Sequence, residues 1–95
     1  MKNQFKRQAQ ALDIAYVLVG LCERIRKAAQ MRERRLLMEI HIALVIIRES
    51  CDETDDMDAM RIILKMEWVA KETAIDLAAV KNLPSRQEII DAFQR

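Results

Sequence analysis

The chain has 95 residues, 52% of them hydrophobic, with 16 Lys/Arg against 15 Asp/Glu and a net charge of +1. One domain is the natural division at this length, and a near-neutral balance argues neither for nor against a polyanionic partner. One Gly, one Pro and 4% aromatics, with no strict alternation of apolar and polar residues, leave little room for hairpins and exclude a sheet protein.

The expected class is therefore all-α: an up-down bundle of three long helices and a short fourth, paired into a homodimer. The first helix is placed at Asn3 to Ala29, around the apolar run from Ala11 to Cys22. At 100° per residue, Ile14, Leu18, Leu21, Ile25 and Ala28 share one face, while Phe5, Leu12, Tyr16 and Val19 share the opposite one. A helix apolar on two sides needs neighbours on both. The run is shorter than the roughly 20 apolar residues a bilayer requires, contains Asp13, and is followed by no A-x-A-like cleavage site. The expected setting is soluble and cytoplasmic, without membrane contact. Gly20 costs about 1 kcal/mol relative to Ala in a helix interior, so it reads either as a point of close helix approach or as a tolerated glycine.

Residues 27–35 hold no Gly, Pro, Ser or Asn, and local rules would carry the helix through them. A continuous helix of about 47 residues would be roughly 70 Å long. The apolar blocks Ala11–Cys22 and Leu36–Ile47 instead lie symmetrically about Ala29, and a turn there is the preferred reading. The second helix spans Glu33 to Ser50, with Leu36, Ile40, Ala43, Leu44 and Ile47 on one face and Met38, Ile42 and Val45 on the other.

An acidic connector follows, Glu49 to Asp56, with Thr54 or Asp55 as N-cap. The third helix is expected from Asp55 to Lys81, its main face being Ala59, Ile63, Met66, Ala70, Ala74 and Leu77. Met57, Leu64, Trp68 and Ile75 form a second stripe roughly 160° away, spaced like a coiled-coil seam. Asn82-Leu83-Pro84 ends that helix. Ser85-Arg86-Gln87-Glu88 is a capping box opening a fourth helix from Arg86 to Gln94, with Ile89, Ile90 and Phe93 inward.

Chemistry-bearing residues are sparse. His41 stands alone and lacks the further ligands zinc needs, so no metal, cofactor or small-molecule site is expected. Cys22 and Cys51 fall at opposite ends of a hairpin, roughly 22 Å apart, and are expected as two free thiols. Asp13 reads as structural, with a partner elsewhere in the bundle. An enzyme built on Asp13, Arg24 and His41 is the least favoured class. The basic cluster Arg24, Arg26, Lys27, Arg32, Arg34 and Arg35 reads as a solvated helix end before a nucleic-acid site. It could also meet the acidic 49–58 segment of another copy. Residues 1–48 carry ten Lys/Arg against four Asp/Glu, residues 49–95 six against eleven.

Two functional expectations remain. The first is a non-catalytic interaction or regulatory protein, a homodimer using Met57, Leu64, Trp68 and Ile75 as partner-binding residues, since Trp is enriched among binding hot spots. On the competing structural reading the fourth helix folds back and covers that stripe. The alternative is a helix-turn-helix DNA binder placing Arg86 and Gln87 against base edges.

Overall fold

The computed structural model describes the backbone of residues 2–50 and 57–94, and the side chains of residues 12–50 and 57–94. Helix α1 spans Lys2–Gln30, α2 Arg34–Ser50 and α3 Met57–Ile75; a 3₁₀ helix, Leu77–Asn82, and helix α4, Arg86–Phe93, complete the chain. Among the described residues there is no strand, and no helix is long and apolar enough to cross a membrane. Phe5, Cys51 and the expected N-cap at Thr54 or Asp55 lie outside the described side chains.

The chain turns between α1 and α2, a few residues beyond Ala29. Arg32 takes a left-handed backbone, φ 57°. The Glu33 amide donates to the Ala28 carbonyl at 2.8 Å and the Arg32 amide to Ala29 at 3.1 Å. This crossed pair is the Schellman ending, which satisfies carbonyls that a helix terminus leaves open. The position usually falls to glycine; here an arginine occupies it, so no local signal in the sequence marks the break.

Side chains from all four α-helices meet in one core. Ala15, Leu18, Cys22 and Ile25 of α1 face Leu37, Ile40 and Leu44 of α2, with Ala59, Ile63, Met66 and Ala70 of α3 and Ile89 and Phe93 of α4. Each fully buried Leu or Ile contributes about 1.5–3 kcal/mol. The expected α1 face is rotated: Ala15 and Cys22 are buried, Ile14 and Leu21 only partly. Val19, assigned to the opposite side, packs against the core. The cause is that α1 contacts α2, α3, the 3₁₀ helix and α4, so its covered arc is broad. In α2 Leu37 is fully buried along with Leu44, whereas Leu36 is partly covered. Gly20 offers no close approach within the chain: a Cβ there would meet nothing within 4 Å.

Helix α3 ends at Ile75, six residues before the expected Lys81, so the described residues hold five helical elements instead of four. Asp76 is extended (φ −127°, ψ 107°) and its carboxylate accepts from the Ala78 amide at 3.1 Å. Aspartate competes for backbone donors in this way and ends helices. The next six residues wind at three per turn, which aligns Leu77, Val80 and Leu83 on one side; all three pack on the core. The Ser85 capping box forms as the sequence predicts, with the Ser85 side chain accepting from Glu88 N–H and Glu88 accepting from Ser85 N–H.

Candidate interaction surface

Helices α2 and α3 run antiparallel, and three side chains fix their register. The Arg34 guanidinium donates to the carbonyls of Ala74 at 2.7 Å and Ile75 at 2.9 Å. It thereby covers the last turn of α3 with positive charge at the negative end of the helix dipole. His41 Nδ1 lies 2.8 Å from the Glu67 carbonyl; a carbonyl only accepts, so Nδ1 carries the proton. Arg48 Nε donates to the Glu67 carboxylate at 2.6 Å, and that carboxylate is nearly buried. Residue 34 thus lies near the level of 74 and 75, and 41 near that of 67, with the long Arg48 side chain reaching back along α3 to the same Glu67.

This register determines what shares the outer side of the pair. Turning each helix away from its core residues brings Met38, Ile42 and Ile46 of α2 outward, beside Leu64 and Trp68 of α3, with Met57 and Ile75 at the ends of the same row. All seven are exposed in the single chain: Trp68 by 57%, Ile42 by 55%, Met57 by 72% and Ile75 by 68%. The covering expected on the competing structural reading does not occur. Helix α4 packs on α1 and α3 and buries Ile89, Ala92 and Phe93 in the core, leaving Trp68 open. Tyr16 and Val17 are also exposed, but they stand on the far side, on the outer face of α1.

The α2 contribution, Ile46 especially, was not tied to Trp68 by sequence reasoning. Its signal was available, because Met38, Ile42 and Ile46 repeat every four residues. The levels of α2 against α3 were missing.

The remaining candidate residues are scattered. Asp13 and Arg24 are both exposed, eleven residues apart on α1 or roughly 16 Å, while His41 sits in the α2–α3 seam; no catalytic grouping forms from them. The partner expected for Asp13 elsewhere in the bundle is not found among the described residues, because its side chain points to solvent. Cys22 is buried and free, and burial pushes its thiol up to about 11, with the Arg26 cation opposing and Glu23 adding to the rise.

Two cations of the basic cluster are used within the fold: Arg34 on α3, and Arg26, whose Nη2 reaches the Pro84 carbonyl at 3.5 Å. Arg86 and Gln87 are exposed on α4, and the Gln87 amide donates to Asp91 at 2.8 Å. The element preceding α4 is the 3₁₀ helix, not the α-helix a helix-turn-helix would place there. Among the described residues no group of His, Cys, Asp or Glu has metal-binding geometry. Two open clefts, of about 280 and 300 Å³, lie beside Arg61 and Asp91 and beside Arg24 and Glu33. The chain matches no protein-family model, no curated protein and no solved structure.

Proposed function

We propose that this chain is a non-catalytic helical interaction protein of the cytoplasm that acts as a homodimer and regulates by binding. The observation that carries this reading is the outer face of the α2–α3 pair, where Met38, Ile42, Ile46, Leu64 and Trp68 remain exposed after the core is complete. Contiguous apolar patches of this kind mark binding surfaces more often than idle ones. Tryptophan supplies large contact area with few rotatable bonds, which suits the centre of an interface. The polar atoms of the described side chains add support, because none that is buried lacks a hydrogen-bond partner. The fold is thus satisfied internally, and its surplus is apolar surface.

Sedimentation velocity from low to high micromolar concentration tests the reading. The expected result is a concentration-dependent dimer, abolished by Trp68→Glu with helicity by circular dichroism unchanged. A monomer across the whole range would remove the homodimer.

A further inference from the structure

We infer that the partner on the outer α2–α3 face is a second copy of this chain, docked about a two-fold axis perpendicular to the helices at the level of Ile42 and Met66. This inference rests on the homodimer reading and specifies its geometry. In such a complex α2 lies antiparallel on the partner's α2, and α3 antiparallel on the partner's α3.

The evidence is that both outer ridges read the same in either direction, about one common level. On α2, Arg35, Ile42 and Glu49 follow at intervals of seven residues, which holds them nearly in line on a helix. Turned end for end about Ile42, that ridge sets Arg35 against Glu49 of the partner subunit and Ile42 against its own copy, and brings Met38 to the level of Ile46 of the partner subunit at about 80° around the helix. On α3, Met57, Leu64, Trp68 and Ile75 are spaced 7, 4 and 7, a pattern symmetric about Met66. It sets Met57 against Ile75 of the partner subunit and Leu64 against Trp68 of the partner subunit. The two centres need not agree, since each belongs to its own helix. They agree to within about a turn of helix: the bonds from Arg34 to Ala74 and Ile75 and from His41 to Glu67 place residue 42 near the level of residue 66.

Two charge contacts favour the same arrangement, against one that opposes it, since Lys65 comes within two residues of the level of its own copy. Beyond Arg35 with Glu49 of the partner subunit, Arg61 comes within one residue of the level of Glu72 of the partner subunit. Arg61 and Glu72 lie within about 20° of each other around α3, while Lys71 is turned about 80° away toward α2. The like charges of Arg61 and Lys71 are therefore not opposed. A two-fold parallel to the helices, with α2 over the partner's α3, would leave Met57 and Ile75 opposite helix ends, although they are the most exposed residues of the row. The perpendicular axis covers both. The paired face is about 25 Å long and two helices wide, a footprint at the small end of stable interfaces.

Disulfide trapping tests the register. In the full chain carrying Cys51→Ser, with Cys22 buried, Ile42→Cys is oxidised with copper-phenanthroline, and Met38→Cys serves as control. Facing helices bring the two residues 42 within the roughly 7 Å Cα separation a disulfide tolerates, whereas the two residues 38 are eight positions, about 12 Å, apart. The expected result is a covalent dimer from Ile42→Cys and little from Met38→Cys. A charge swap gives a second measure. Arg35→Glu breaks two exposed pairs per dimer, together with the exposed Arg35–Glu39 pair at 3.9 Å within each chain; it should weaken association roughly tenfold, and adding Glu49→Arg should restore it. A chain that sediments as a dimer but links no faster through Ile42→Cys than through Met38→Cys, or is not restored by the swap, overturns this geometry and leaves the homodimer standing. A chain that stays monomeric overturns both.

Discussion

The inner and outer faces of α3 differ in how their apolar residues are sized and interrupted. Inside α3, Ala59, Ala70 and Ala74 alternate with Ile63 and Met66. Outside, the row is Met57, Leu64, Trp68 and Ile75, all large and separated by Arg61, Lys65, Lys71 and Glu72. Small residues suit a contact fixed by chain connectivity. Large ones broken by charge suit a contact that must find its partner in solution, because charge sets orientation and the large side chains supply affinity.

Leu37 and Ile42 draw the sharpest line between the faces, one fully buried and the other exposed on the same helix. Leu37→Ala should cost about 3 kcal/mol of folding stability through lost burial and the cavity left behind. Ile42→Ser should change dilute-solution stability by less than about 0.5 kcal/mol while weakening the proposed dimer. Urea denaturation at low concentration, set against sedimentation, separates the two. Equal losses of stability would mean that the outer face is core.

The seam between the faces carries the one nearly buried ion pair among the described residues. Arg48→Ala would strand the Glu67 carboxylate, and removing one member of a buried pair is far costlier than replacing both. A loss of about 2 kcal/mol is expected, at the lower end because Arg48 keeps partial access to water, and Arg48→Met with Glu67→Gln should recover most of it. Failure of the double variant to recover would assign the Glu67 carboxylate a role beyond the pair.

On the inner face of α1, Cys22 sharpens the contrast through pH. Its thiol is raised from 9.0 to about 11 by burial, so the folded state holds the proton more tightly than the unfolded one. Stability from this site is complete below pH 9 and declines as pH rises from 9 toward 11, by about 2 kcal/mol in all. The difference between the chain and Cys22→Ala across that window, followed by thermal melting, measures it. A flat difference would mean that water reaches the thiol in the folded chain.

The legible parts of the fold were those that side-chain period or cap chemistry writes locally. The all-helical class, the α4 capping box at Ser85 and Glu88, and the main face of α3 all follow from spacing in the sequence. The end of α3 at Asp76 did not, because a 3₁₀ segment keeps the same residues inward with a period of three, and Leu77, Val80 and Leu83 satisfy both readings nearly as well. Sequence period favours Leu36 over Leu37 for the inner face, since adjacent positions differ by 100°, and the bonds from Arg34 and His41 to α3 turn Leu37 inward. The α3 part of the candidate surface was readable. Its α2 part depended on the register between helices, which sequence period does not carry.

The turn between α1 and α2 was inferred from the symmetry of two apolar blocks and had no local mark, because Arg32 holds the left-handed position that glycine ordinarily fills. That conformation costs an L-residue roughly 1 kcal/mol, and glycine would adopt it without a Cβ clash. Arg32→Gly should therefore raise stability by somewhat less than 1 kcal/mol, since glycine also loses more chain entropy on folding. Arg32 lies on neither face of the α2–α3 pair, so the dimer should be unaffected. A thermal melt with a higher midpoint and an unchanged sedimentation profile would show that folding and association respond to different parts of the chain. A weakened dimer would instead place the turn inside the interface, and the two-fold level at Ile42 would then be wrong, because 31–33 lies beyond the ridge that Arg35 ends.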